Sequence, residues 1–279
     1  MTICLAAIAT ETLPDGSKSD VIVTASDRMI TLGGTTEYVW GEQTKTFWFS
    51  KSIMAMSADD PDQVLEVYRS AHRALNGKPL TVERVARKVA QKFYEHRQRR
   101  NERLILGPHG LTFDTLIKNQ RTLDQTVISR LVTRLYGDDG VLNATMIVAG
   151  LNDREGHIYL IDDPGQHVCC DAESFAAIGL GREHAESVFT ESMYTHHTPW
   201  TEVVLLAYLA KSRAEAAPGV GEDTDLYWIK SDGYGYVEPR AELMGELAKV
   251  RHDRDQRMRR ALDVGHQRLR TRIEEIRRD

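Results

Sequence analysis

Thr2-Ile3-Cys4-Leu5-Ala6-Ala7-Ile8-Ala9 is the stretch on which the reading of the whole chain turns. After Thr2 the run is apolar without alternation, the pattern of a buried strand. A polar stretch containing Pro14, Asp15 and Gly16 turns the chain, and Val21-Ile22-Val23-Thr24-Ala25 returns as the next strand. Thr2 directly follows Met1, and a small second side chain favours removal of an initiator methionine. The processed chain is therefore expected to begin at Thr2. Such a terminus carries a hydroxyl nucleophile and, in the same residue, an α-amine that titrates at roughly 7.7–8.0. The amine can act as the base that activates the hydroxyl. By position alone Thr2 reads as an ordinary second residue; its weight comes from the segments that follow.

The chain has 279 residues, enough for one large domain or two small ones, and 41% of them are hydrophobic, enough for a substantial core. Its net charge is −5 with 28% charged residues of both signs, so there is no global basic footprint and no nucleic-acid partner is expected. No apolar run approaches the roughly 18–20 residues that span a bilayer, so no membrane partner is expected. A signal peptide pattern is also lacking. The cysteines are Cys4, Cys169 and Cys170, an odd count that makes a poor disulfide framework, with no zinc-type spacing. These features point to a reducing cytoplasm and to no metal or other cofactor. Cys4 reads as core. Cys169-Cys170 reads as strand, with one thiol free to face solvent.

Further along, Phe47-Trp48-Phe49 and Ile53-Met54-Ala55-Met56 form a strand pair. Asp60-Pro61 opens a helix whose inner face carries Val64, Leu65, Tyr68, Ala71, His72 and Leu75. Thr81 caps a second helix with Val82, Val85, Ala86, Val89 and Phe93 inward. Residues 95–140 form a less regular helical insertion. Its basic cluster from Arg97 to Arg103 reads as a solvated helix end, with phosphate binding as the alternative. Strands resume at 145–150 and 157–162, and again at 175–179. Two helices follow near 182–193 and 200–216, and Leu226-Tyr227-Trp228-Ile229 is a late strand. This order implies an α+β layered domain, antiparallel sheets between helical layers. From residue 238 the composition shifts to a charged amphipathic helix with Leu243, Leu247, Val250, Met258, Leu262, Leu269, Ile273 and Ile276 at helical spacing and an interruption expected near Gly265. The expected division is a domain over 1–237 and a helical extension over 238–279.

Several segments together resemble the β-subunit family of proteasomes, N-terminal-nucleophile (Ntn) hydrolases, and in particular bacterial proteasome-like proteins that start Met-Thr. They are Thr2 opening a strand; Val21 to Ala25 running into Ser26-Asp27-Arg28-Met29-Ile30-Thr31; Lys45 at the head of a strand before Ile53-Met54-Ala55-Met56-Ser57-Ala58-Asp59; Ile147-Val148-Ala149-Gly150 through Ile158 to Asp162-Asp163-Pro164-Gly165; Ala177-Ile178-Gly179-Leu180-Gly181; and Gly221-Glu222-Asp223-Thr224-Asp225. Each is weak alone, and their order and context make them specific across about residues 2–230. The resemblance implies a four-layer αββα sandwich, carrying here a helical insertion and a long C-terminal helix. It implies a peptide or protein substrate, a homo-oligomeric assembly, and an unfoldase partner that the sequence does not identify.

The resemblance also assigns roles. Thr2 matches the nucleophile. Lys45 matches the buried lysine whose charge lowers the proton affinity of the hydroxyl and amine, and Asp27 the carboxylate that places that lysine. Thr31 matches the residue whose backbone holds an extended substrate as an added strand. The backbone at Ala58-Asp59 falls where the family supplies an oxyanion N–H. Glu215 stands where the family has a supporting aspartate. Three departures accompany these matches: Leu180 replaces the serine of a Gly-Ser-Gly turn, Pro218 replaces a second serine, and Ser57-Ala58-Asp59-Asp60 replaces a glycine-rich oxyanion segment. The leading reading is a threonine-type amide hydrolase of weakened activity. A non-catalytic proteasome-like assembly or peptide-binding protein is the alternative, and a small-molecule amidase on the same fold is a third reading.

Overall fold

The computed structural model describes residues 2–32, 36–39, 45–59, 61–237 and 241–276. They fall into two compact units, residues 1–236 and 237–279. The first unit is built on two antiparallel five-stranded sheets. In chain order the strands are β1 (Cys4–Thr12), β2 (Lys18–Asp27), β3 (Met29–Leu32), β4 (Thr36–Val39), β5 (Thr46–Ser50), β6 (Ile53–Asp59), β7 (Ala144–Asn152), β8 (Glu155–Asp162), β9 (Gln166–Cys169), β10 (Phe175–Ile178), β11 (Thr224–Lys230) and β12 (Gly233–Val237). One sheet has the order β10-β1-β2-β11-β12 and the other β5-β6-β7-β8-β9, while β3 and β4 form a separate hairpin.

Strand alternation explains the layers. Cys4, Ala6 and Ile8 of β1, with Ile22 of β2, face Met54, Met56, Ile147, Ala149 and Ile158 of the other sheet and form the core between the sheets. The opposite faces are covered by helices. Ala55, Met146, Val148 and Ile161 pack against Val64, Val67 and Ala71 of α1 (Pro61–Leu75) and Val85, Val89 and Phe93 of α2 (Val82–Asn101). On the other side lie α5 (Arg182–Glu191) and α6 (Trp200–Ala214), which bury Phe189, Val203, Ala207 and Ala210. The result is helices, sheet, sheet, helices, the αββα sandwich with its late helical extension. Each fully buried Leu, Ile or Phe contributes about 1.5–3 kcal/mol, so these two doubly covered sheets are the main source of stability.

The insertion is more ordered than its sequence implies. Helix α2 continues to Asn101 and passes through a π-helical turn at Glu102–Leu106. Helices α3 (Phe113–Asn119) and α4 (Gln125–Tyr136) follow, capped by Thr112 and Asp124. Ile105, Leu106, Leu116, Leu131 and Leu135 make it a small core of its own. The basic cluster does structural work here. Arg97 donates to the Gly140 carbonyl (2.9 Å) and pairs with Asp163 (3.0 Å), while Arg100 donates to the Asp139 carbonyl (3.0 Å). In the second unit, α7 (Glu242–Ile276) is one uninterrupted helix, so the break expected at Gly265 is absent. A Cβ at Gly265 would meet nothing within 4 Å, and a single glycine costs a helix only about 1 kcal/mol relative to alanine. The short strands β3, β4 and β12 were not anticipated, with four, four and five residues; β9 (Gln166–Cys169) takes in Cys169, the first of the two cysteines read as strand.

Candidate active site

Hairpin register brings the first two candidate residues together. In the β1–β2 pair, Cys4 faces Ser26, and the Asp27 N–H donates to the Ile3 carbonyl (3.2 Å). Thr2 and Asp27 are therefore neighbours at the same end of one sheet. Lys45 comes from the other sheet, just before β5, where its carbonyl accepts from the Ser57 N–H (3.1 Å). The site is thus assembled across the end of the sandwich.

Asp27 is its centre. The carboxylate is fully buried and accepts five donors. Oδ1 accepts from the Thr2 hydroxyl (2.5 Å), the Ile3 N–H (2.9 Å) and Lys45 Nζ (2.6 Å). Oδ2 accepts from the N–H groups of Met29 and Gly221 (both 3.1 Å). Lys45 Nζ also donates to Thr2 Oγ1. The hydroxyl therefore lies between a carboxylate and an ammonium. Thr2 is 1% exposed, and the Lys45 side chain is 12% exposed, so the Lys45–Asp27 pair is poorly screened by solvent. The adjacent Arg28 turns away, its guanidinium donating to Asp225 Oδ1 (2.9 and 2.7 Å) and to the Tyr236 hydroxyl (2.6 Å). That pairing with Asp225 pushes the Arg28 guanidinium further above its usual range.

Two glycines seat the backbone around Thr2. Gly179 has φ +96°, a conformation that favours glycine, and a Cβ there would stand 2.2 Å from the Thr2 carbonyl oxygen. Gly181, which caps α5, donates its N–H to that same oxygen at 3.4 Å, and a Cβ on it would lie 2.6 Å from Cβ of Ala214. Gly221 lets its own loop approach Asp27, since a Cβ there would meet Met29 Cβ at 2.9 Å.

The other expected residues sit as follows. Thr31 lies in β3 opposite Glu37, and its side chain is outside the described residues. Ala58 is buried in β6 opposite Thr145 of β7. Because the Ser57 N–H points to Lys45, alternation along the strand directs the Ala58 N–H to β7 and the Asp59 N–H back toward the Lys45 side. Of the two backbone donors, Asp59 is the one oriented toward the site; its side chain, like all of Asp60, is outside the described residues. Glu215, at the C-cap of α6, gives its carboxylate to Lys211 Nζ at 2.9 Å. Leu180 and Pro218 are exposed. Cys4 is buried and its thiol donates to the Ser57 carbonyl (3.3 Å), while Cys169 is exposed.

Lys211 was not anticipated. Its side chain is fully buried, with the ammonium on Glu215 and on the Glu222 carbonyl (2.5 Å). The signal was available: a lysine ending the apolar run Val203 to Ala210 with a glutamate four residues on. Among the described residues no group of His, Cys, Asp and Glu side chains is arranged to hold a metal ion, and no helix is long and apolar enough to cross a membrane.

Two antiparallel sheets stacked face to face with helices outside them define an αββα sandwich, and Thr2 lies at one end of it. Among solved structures the chain is similar to an Anbu (Gly-1) mutant from Hyphomicrobium sp. strain MC1, with TM-score 0.60 and 15% identity over 92% of this chain and 96% of that one. At that identity the likeness is one of fold. No protein family model matches the sequence, and no curated protein matches it.

Proposed function

We propose that the chain is a threonine-type amide hydrolase acting on peptides, with Thr2 as nucleophile once Met1 is removed. The observation that carries this reading is the Thr2 hydroxyl held between Asp27 Oδ1 and Lys45 Nζ in a buried setting. In the reaction Thr2 Oγ1 attacks the substrate carbonyl carbon and its proton passes to the α-amine. The C–N bond then breaks, the proton leaves with the departing amine, and an ester to Thr2 remains. Water, deprotonated by the same amine, attacks the ester and releases the acid. Lys45 stabilises negative charge on Oγ1, Asp27 fixes Lys45, and the Asp59 N–H is the backbone donor on offer to the oxyanion. The β3–β4 hairpin carries Thr31 as an edge to which an extended peptide adds.

The assembly proposed is a homo-oligomer in the cytoplasm, with any unfoldase partner left open. One observation favours the non-catalytic alternative: Glu215, the supporting carboxylate, is engaged by Lys211. Intact mass of protein from its host, followed by reaction with a threonine-directed electrophile, decides between them. A mass without methionine and a single adduct that disappears in Thr2→Ala and Lys45→Met are expected. Retained methionine, or labelling that survives Lys45→Met, overturns the catalytic reading.

A further inference from the structure

One loop residue beyond the Gly221–Asp27 contact lies a second buried ammonium, for which the hydrolytic reading has no use. Lys211 is on α6, the helix that covers the first sheet, and its side chain has no solvent exposure. Two oxygens hold it. Glu215 Oε1, one helical turn on, is at 2.9 Å, and the Glu222 carbonyl is at 2.5 Å. Glu222 directly follows Gly221, whose N–H donates to Asp27 Oδ2 at 3.1 Å. Asp27 Oδ1 in turn accepts from Thr2 and Lys45. A path therefore runs from Lys211 to the hydroxyl of Thr2 through two consecutive loop residues, Glu222 and Gly221, and then Asp27. At Gly221 the loop passes close to β3, since a Cβ there would stand 2.9 Å from Met29 Cβ.

From this geometry we propose that Lys211 is a positioning residue of the Thr2 centre: it anchors the loop over residues 215–222 so that Gly221 meets Asp27. The proposal rests on the function assigned above. A buried lysine with no task is costly, since an ammonium removed from water needs compensation. Burial lowers the proton affinity of Lys211, opposed by the carboxylates of Glu215 on its own helix, Asp27 on β2 and Asp223 on the loop. The first of these makes the direct bond, and the second connects the group to the reaction. Losing the ammonium removes one positive charge from the surroundings of Asp27 and loosens one of its N–H donors. Both changes favour the protonated form of the Thr2 amine, the base of the proposed reaction.

The test is the rate of modification by a threonine-directed electrophile as a function of pH, on the full-length processed protein. Wild type is expected to show a rate that rises with pH as the amine loses its proton. In Lys211→Met that acidic limb moves to higher pH by about half a unit or more, while circular dichroism still reports the native fold. A loss of packing alone lowers the amount of reactive protein and leaves the limb where it was. Where Lys211→Met does not accumulate as folded protein, Lys211→Met combined with Glu215→Met removes the pair without stranding a carboxylate. It is expected to shift the limb in the same direction, by less. A folded variant with a superimposable profile overturns the positioning role and leaves the proposed function standing. Absence of modification in wild type at any pH refutes the proposed function and this inference with it.

Discussion

Gly179→Ala tests whether the Thr2 carbonyl is seated as described. The added methyl stands 2.2 Å from that oxygen, against 3.4 Å for the onset of ordinary contact, so about 1.2 Å of movement is required (3.4 − 2.2). The neighbours in the way are backbone atoms of Thr2, so no flexible side chain can give. A further cost arises because alanine at φ +96° is disfavoured by about 1–2 kcal/mol. With the contact included, a loss of about 3–4 kcal/mol is expected. At roughly 2–4 °C per kcal/mol for a domain of this size, Tm falls by about 10 °C. Gly77→Ala is the control, since Gly77 has φ +71° and open space around its Cβ position. It isolates the backbone cost and should lower Tm by only a few degrees, about 1 kcal/mol. The two variants should separate more sharply in reactivity. A misplacement of about 1 Å at a reacting centre can cost roughly a hundredfold, so Gly179→Ala should lose covalent capture by that order while Gly77→Ala keeps it. Calorimetry and time-resolved mass spectrometry supply both numbers. Equal melting of the two variants, with wild-type capture in both, would show that Thr2 does not rest against Gly179.

Other outcomes follow from other parts of the molecule. Burial pushes the phenols of Tyr159 and Tyr236 up to about 12, and those of Tyr194 and Tyr227 higher still, from an ordinary value of 10.0. Each ionises more readily unfolded, so their contribution is intact below pH 10 and is lost as pH rises above it; ultraviolet titration should resolve a late group of phenols, and a single step near 10 for all of them refutes this. The apolar stripe of α7, with Val250, Met258, Leu262, Leu269 and Ile273 all 45–68% exposed, is expected to seat a neighbouring subunit; light scattering should show an oligomer for the full chain and a smaller species for one ending at residue 237, and two monomers would sink the idea. Turnover of generic peptides is expected to be slow, and Leu180→Ser with Pro218→Ser should raise it. Unchanged turnover in that double variant, where Thr2→Ala abolishes it, would mean the missing hydroxyls do not matter.

The layered fold was legible because its strands are apolar runs too long and too continuous for anything else. Thr2 to Ala9 and Val21 to Ala25 can be buried only if both faces are covered, and the helices at 61–75, 82–101, 182–191 and 200–214 carry the matching stripes. The strands that escaped are β3 and β4, a separate four-residue hairpin, and β12, a five-residue edge strand, all too short to carry a pattern that can be read. Gly265 misled for a related reason: a break signal counts only where packing or a turn uses it, and a Cβ at this position would meet nothing within 4 Å. In the site, Thr2, Asp27 and Lys45 were legible through the resemblance to the proteasome β-subunit family, since by position alone each reads as an ordinary residue at a strand end. Lys211 was hidden because an i, i+4 lysine–glutamate pair is usually a surface pair, and only the fold turns that face of α6 inward.

The distribution of donors around Asp27 bears on what Met1 does to the centre. The Thr2 hydroxyl, the Ile3 N–H, Lys45 and two loop N–H groups already converge on the carboxylate, and the Thr2 carbonyl is held by the turn at Gly179–Gly181. None of these contacts uses the Thr2 nitrogen. The geometry of the nucleophile is therefore set by the hairpin register and the two loops, before any processing. Removal of Met1 changes one thing chemically: it converts an amide nitrogen, which cannot accept a proton near neutral pH, into an amine that can. Blocking that single change separates placement from activation. A chain engineered to retain Met1 should keep the melting temperature and pH stability of the processed protein yet fail to react with a threonine-directed electrophile. Equal reaction of both forms would show that the amine is not the base, and that Lys45 or another group takes the proton from Thr2.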